Sequence, residues 1–236
     1  MRITQLFLTV YFWSITVISL LLTSVVCVLC YPFVSQKTFA RIYGTIPGSL
    51  MLNAMTIPGF WTLTIEDWRR DKSWKQCVIV ANHESMIDSL ILSHIPVTKK
   101  FMIGKVFTDI PIFGWLAKSS GYVTADKNDP ELNKTSVSRA VATMQDGSCF
   151  CIFPEAMRNP NPKTLLPFKT GAYRIAKETK VPILPITLKN TGYAMPIGGL
   201  VNFANISMVI HEPFFVEDEP LQVYINKSRE VISSKF

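Results

Sequence analysis

From Ile3 to Val34 the chain carries no charged side chain. A run this long that enters lipid must satisfy its own backbone, and within one segment only a helix does so. Coiled into about 30 helical residues it would be about 45 Å long, more than the ~30 Å hydrocarbon core, so it spans with tilt. The alternative geometry is a hairpin that dips into one leaflet. The run exceeds the apolar core of a cleavable signal peptide, and no small-x-small cleavage site follows it. Arg2 precedes it, Lys37 and Arg41 follow, and Arg69, Arg70, Lys72 and Lys75 come later. That bias puts the main domain on the cytoplasmic side of a spanning helix.

The remainder is long enough for one sizeable α/β domain. With 24 Lys and Arg against 17 Asp and Glu the net charge is +7, and mean hydropathy is +0.25. A basic, oily chain suits an anionic lipid surface; no Lys/Arg-rich run or nucleic-acid signature accompanies the charge, so nucleic acid is not expected as a partner. The five cysteines lie in apolar or strand-like runs and form no disulfide framework, which points to a reducing compartment. Cys27 and Cys30 have CxxC spacing but read as small core residues of an apolar helix. The three histidines lack metal-ligand spacing, so no metal site is expected.

Along the chain, strand-like and helix-like patterns alternate. Residues 48–65 form a second apolar stretch, broken by Asn53 and Pro58-Gly59, that reads as an interfacial or core helix running into a strand at Phe60 to Glu66. Further strands are expected at Val78–Ala81, Phe101–Ile103, Tyr122–Thr124, Ser148–Phe153 and Val181–Leu188, with closing strands between Asn205 and Phe215. Helices are expected near Phe113–Ser119, Asn133–Asp146, Phe168–Lys180 and Pro220–Ser233. The sequence therefore predicts an α/β fold: a mixed, largely parallel sheet flanked by helices, with an N-terminal membrane-anchoring helix. The expected division is a membrane-associated segment over 1–59 and a catalytic domain over 60–236.

The sharpest local feature is Cys77 to Asp88, CVIVANHESMID. An apolar strand ends abruptly at Asn82-His83-Glu84-Ser85, and an apolar helical pattern begins after Asp88. In one helix His83 and Asp88 would lie about 140° apart and could not meet. They meet if His83 precedes the helix, with Ser85 or Asn82 as its cap and Asp88 in the first turn. One imidazole nitrogen then faces the carboxylate while the other is free to take a proton from a substrate hydroxyl. A merely structural hydrogen bond fits the same spacing. No Gly-x-Ser-x-Gly stands in the chain, which excludes the usual serine hydrolase, and the phosphate-binding glycine motifs are missing too.

Four ordered blocks carry a family resemblance: Asn82-His83-x4-Asp88; Lys105 to Trp115 with Gly121 to Lys127; Phe153-Pro154-Glu155-Ala156-Met157-Arg158; and Pro182-Ile-Leu-Pro185. Together with Pro167 to Ala172 they cover about residues 60 to 190. The chain resembles the 1-acylglycerol-3-phosphate acyltransferases, the lysophosphatidic acid acyltransferase family of glycerolipid enzymes. The resemblance implies a membrane enzyme of phospholipid synthesis with its catalytic domain on the cytoplasmic face. It would move an acyl group from acyl-CoA or acyl carrier protein, as co-substrate, to a lysophospholipid acceptor, with no metal and no bound cofactor. It implies His83 and Asp88 as the catalytic pair, Glu155 as a ligand of a glycerol hydroxyl, and Arg158, Lys127 and Lys105 as phosphate ligands. Arg158 and Lys127 taken alone would read as solvated loop charges.

The sequence departs from the family pattern in two places. Ala156-Met157 stand where Gly-Thr is usual, removing a flexible backbone position and a hydroxyl. Lys127 stands where Arg is usual, keeping the charge but losing the guanidinium fork. These departures leave open another lysophospholipid acceptor, or a non-catalytic lipid-binding protein on the same scaffold. Phe107, Ile110, Ile112, Phe113 and Trp115 are expected to line an acyl tunnel, to form a membrane-facing ramp or simply to pack in the core.

Overall fold

The computed structural model of the chain describes residues 2–126, 128–161 and 164–234. In chain order the strands are β1 (Trp61–Asp67), β2 (Val78–Ala81), β3 (Lys99–Gly104), β4 (Val123–Ala125), β5 (Cys149–Ile152), β6 (Ile183–Lys189) and β7 (Ala204–Ile210). The helices are α1 (Arg2–Cys30), α2 (Gln36–Thr56), α3 (Asp88–Leu92), α4 (Lys105–Thr108), α5 (Pro111–Ser119), α6 (Pro130–Thr143), α7 (Gly171–Thr179), α8 (Thr191–Ala194) and α9 (Leu221–Ser233).

The strands form one seven-stranded sheet in the order β1-β7-β6-β2-β5-β3-β4. All neighbours are parallel except β6 and β7, so the expected mixed, largely parallel sheet is the observed one. Central strands β2 and β5 are buried throughout, as apolar strands covered on both faces must be. Alternation sorts their side chains. Ile79, Ala81, Cys149 and Cys151 join one apolar cluster with α1 and α2; Val78, Val80, Phe150 and Ile152 join another with α7 and α9. The molecule is thus three layers thick. All five cysteines are free, and Cys27 is a core residue as its setting in the sequence implies.

Helix α1 is long and apolar enough to cross a membrane by length and composition. Its buried residues Leu8, Phe12, Ser19, Thr23 and Cys27 recur along one stripe, which packs on α2 and the domain over most of the helix. Tyr11 Oη donates to the Ala54 carbonyl at 3.1 Å. Helix α2 starts well before the expected second apolar stretch. It is capped by Ser35, whose hydroxyl accepts from Thr38 N, and it tolerates Pro47 in its interior. Met51, Leu52 and Met55 bury its inner face in the core.

Other differences from expectation are local. The tail contributes one strand, β7, and a single bridge between Ile183 and Phe214 in place of several closing strands. Asp129 caps α6 and Pro130 occupies its first turn, moving that helix start ahead of Asn133. The second sequence block forms two short helices, α4 and α5, pressed so closely that a Cβ on Gly114 would collide with the Thr108 carbonyl. Gly114→Ala should therefore destabilise the fold by about 1–3 kcal/mol through overpacking. A thermal melt in detergent indistinguishable from that of the unaltered chain would show that α4 and α5 are not packed this way.

Candidate active site

The C-terminal edge of the parallel strands delivers the polar segment 82–88. Asn82 extends the β2–β6 pairing by one step with its side chain: Nδ2 donates to Leu188 O and Oδ1 accepts from Leu188 N, both at 2.8 Å. The side-chain amide thereby replaces a strand peptide and lets the backbone turn away. His83 follows, then a loop that closes on Asp88 at the start of α3. Neither Asn82 nor Ser85 caps that helix as expected; Ile87 holds the cap position and makes no side-chain bond. Asn82 is committed to Leu188, and Ser85 Oγ donates to Met195 O at 2.8 Å.

Asp88 gathers the loop instead. Its Oδ2 lies 2.7 Å from His83 Nδ1 and accepts from Glu84 N at 2.8 Å and Ser85 N at 2.9 Å. The carboxylate is fully buried, while the imidazole is 20% exposed. A carboxylate facing Nδ1 selects the tautomer of a neutral imidazole that carries its proton there and presents Nε2 as an acceptor. Among the described residues nothing bonds to Nε2. The ring stacks on Phe153, centroids 4.0 Å apart at 12°, which fixes its plane.

Backbone hydrogen bonds bring the second loop to the first. Asn159 N donates to His83 O at 2.6 Å, and His83 N donates to Glu155 Oε1 at 2.9 Å. The other oxygen of Glu155 accepts from Leu166 N at 2.8 Å. Glu155 is 4% exposed, and burial raises its carboxyl above the usual range against the pull of these donors. Ala156 adopts a left-handed conformation, φ +60°, the region that glycine enters freely. An alanine holds that shape at a cost of about 1 kcal/mol, so the altered loop keeps a glycine-like backbone.

Arg158, one residue before the Asn159 anchor, is partly exposed and makes no hydrogen bond or ion pair among the described residues. Lys105 stands at the C-terminal end of β3, two strands from β2, paired with Asp109 at 2.6 Å, and no contact ties it to His83. Lys127 lies outside the described residues. Phe107, Ile110, Ile112 and Trp115 are exposed, with Trp115 5.1 Å from Tyr31 just past α1, whereas Phe113 packs against the core cluster of Phe39 and Tyr43.

Sequence reasoning passed over Glu84. This carboxylate is buried beside Asp88 and Glu155, accepting from Asn82 Nδ2 at 3.1 Å and Gly192 N at 3.2 Å. Burial pushes it from 4.5 up to about 7; the Gly192 N–H opposes that, Asp88 adds to it, Asn82 opposes and Glu155 adds. A charged residue directly after a buried strand was the available signal.

A family model described as Acyltransferase matches residues 64–189. The chain is 35% identical over 141 residues to a chloroplastic 1-acyl-sn-glycerol-3-phosphate acyltransferase of Brassica napus, covering 59% of this chain and 41% of that one. It is 28% identical over 228 residues to a chloroplastic 1-acyl-sn-glycerol-3-phosphate acyltransferase of Arabidopsis thaliana, covering 95% and 63%. The chain thus spans less than two thirds of the length of these relatives. Among solved structures it is similar to the 1-acyl-sn-glycerophosphate (LPA) acyltransferase PlsC of Thermotoga maritima. That match has a TM-score of 0.80 at 20% identity and covers 99% of this chain and 95% of that one, a likeness of fold.

The raised carboxyl of Glu84 has a consequence for stability. Between 4.5 and about 7 the folded chain holds a proton on Glu84 that the unfolded chain has lost. Stability therefore falls as pH rises through that window, by an amount on the order of 3 kcal/mol, and the dependence ends above it. Glu84→Gln should remove this slope, read as the difference between the two thermal stability profiles. Parallel profiles across the window would mean that Glu84 ionises normally.

Proposed function

The chain belongs to the Acyltransferase family, and we propose that its site moves a fatty acyl group from a thioester donor to the free hydroxyl of 1-acyl-glycerol-3-phosphate, giving phosphatidic acid. The observation that carries the proposal is the His83–Asp88 pair at 2.7 Å with Nε2 open. The names of the relatives support the acceptor.

A thioester is already activated, so the acceptor needs only a placed base. His83 Nε2 takes the hydroxyl proton as the oxygen attacks the thioester carbonyl. Asp88 holds the Nδ1 proton and stabilises the imidazolium that forms. Collapse of the tetrahedral adduct breaks the carbon–sulfur bond, and the leaving sulfur takes the proton from Nε2. The donor, acyl-CoA or acyl carrier protein, is a co-substrate; the reaction as written asks for no metal or bound cofactor.

Arg158 and Lys127 are proposed to hold the acceptor phosphate, Arg158 through two N–H groups and Lys127 as a point charge. That Arg158 has no partner among the described residues, and its neighbour's bond to His83 O, support that role for it. Lys105 is proposed as a more distant contributor. Glu155 is proposed to accept from a glycerol hydroxyl of the acceptor with the lone pairs left beside the two backbone N–H groups it already holds, one of them that of His83. The apolar flank of α1 attaches the chain to a membrane, with the catalytic domain on the cytoplasmic face where the donor would arrive. The packed stripe from Leu8 to Cys27 favours a helix lying along the domain with its outer flank in lipid.

Three variants test the proposal. His83→Ala should abolish release of the donor thiol while lysophospholipid binding persists, and Asp88→Asn should cut the rate severely. Arg158→Ala should raise the acceptor KM roughly 10- to 150-fold, the equivalent of the ~1.5–3 kcal/mol of a charged hydrogen bond, with far less effect on the donor KM. Near-normal turnover in His83→Ala would remove the mechanism. A rise in donor KM alone for Arg158→Ala would move that charge to the donor's phosphates and favour an acceptor lacking a terminal phosphate.

A further inference from the structure

No charged side chain stands between Lys189 and His211. Within this span, the connection from β6 to β7 is a surface segment that begins with α8 at the same sheet edge as His83. Its large side chains point outward: Tyr193 is 61% exposed, Ile197 45%, Leu200 37% and Phe203 51%. Solvated connections ordinarily carry charge, and a cluster of exposed apolar side chains on one segment marks a contact surface.

The segment is firmly built. Asn202 uses all of its polar groups inward: N donates to Ala194 O at 2.9 Å and Nδ2 to Tyr193 O at 2.7 Å. Its carbonyl accepts from Trp61 Nε1 at 2.8 Å and its Oδ1 from Gln5 Nε2 at 2.6 Å. Val201 is buried in the core. Gly199 N closes a turn on Pro196 O with Gly198 at φ +67°. The polar groups of Asn202 are thus satisfied, and they hold the segment in place.

Two of these fastenings reach α1. Gln5 is one, and Thr9 Oγ1, which accepts from Val201 N at 2.9 Å, is the other. A row of rings then joins the exposed flank of α1 to the segment: Phe7 to Tyr11 at 6.2 Å, Tyr11 to Phe60 at 5.5 Å, Phe60 to Phe203 at 5.7 Å. The apolar surface is continuous from the helix to the loop. The segment's exposed ends are Tyr193 and Phe203, and the amphipathic tyrosine ring suits the boundary between acyl chains and headgroups.

From this placement we infer that residues 193–203 are a second membrane-contacting element, seated in the same lipid surface as the outer flank of α1. The inference rests on the membrane attachment proposed above for α1 and extends it to a loop bonded to the catalytic segment. Ser85 Oγ holds Met195 O and Glu84 holds Gly192 N, so the lipid contact adjoins the His83 loop directly. A lipid acceptor would then meet His83 at the edge where the protein touches the bilayer.

Spin labels test this without any measure of turnover. Single cysteines replace Ile197 or Phe203 in a Cys30→Ser background, with Val10→Cys on the exposed flank of α1 and Lys134→Cys on α6 as references. The full-length chain is reconstituted into phosphatidylcholine vesicles containing phosphatidylglycerol. Labels at 197 and 203 should collide with oxygen several-fold more often, relative to a water-soluble nickel complex, than the label at 134, approaching the label at 10. If the label at 10 is embedded while those at 197 and 203 match 134, the loop inference fails and the anchoring of α1 stands. If the label at 10 also matches 134, both fail. Spin–spin broadening between loop labels would identify a second copy of the chain as the occupant and would overturn the inference.

Discussion

One carboxylate oxygen, Asp88 Oδ2, accepts from the His83 ring and from two backbone N–H groups of the same loop. A carboxylate buried this fully is stable as an ion only where charge-assisted hydrogen bonds replace its lost water. The loop between β2 and α3 supplies them to Oδ2 alone, Oδ1 being buried with no partner among the described residues, and in doing so curls until His83 stands over Phe153. The His83 imidazole is therefore placed and its loop shaped by the same group. Around that centre Glu155 clamps the His83 amide from outside and Asn82 commits the preceding strand, leaving the segment little freedom to open.

This centre also explains what the sequence made legible. The His83–Asp88 pair was readable because its spacing excludes a shared helix and leaves one arrangement in which the two meet. The strands β2, β5 and β6 announced themselves as short apolar runs with polar ends, and the parallel sheet followed from their alternation with helices. The cap of α3 was not readable: Ser85 and Asn82 have the right chemistry for a cap, but distant partners, Met195 and Leu188, hold them. Local propensity yields whenever a long-range donor or acceptor satisfies the same side chain more fully. Glu84 escaped for a related reason. Its burial depends on Gly192, far along the chain, and no local pattern reports that.

Position 156 separates chemistry from shape. Alanine there discards glycine's freedom, yet the backbone stays in the left-handed region, because Pro154, Glu155 and Asn159 on either side are all anchored by hydrogen bonds to distant segments. The strain is stored next to Arg158, in a loop whose conformation the neighbouring contacts over-determine.

The pairing of β1 with β7 has a temporal side. Trp61 lies in register with Ala204, and Gln5 and Thr9 of α1 bond to residues 202 and 201. The first strand thus waits for nearly the last strand of the chain, and α1, which α2 covers early, waits equally long for the contacts of Gln5 and Thr9. With α1 attached to a membrane as proposed above, lipid would be available to that helix during synthesis long before β7 is, and the bilayer would precede the sheet as its first solvent. Contacts this distant in sequence also make loop closure slow. A helix already held at a surface would shorten that search, so the attachment proposed for α1 would serve assembly as well as location.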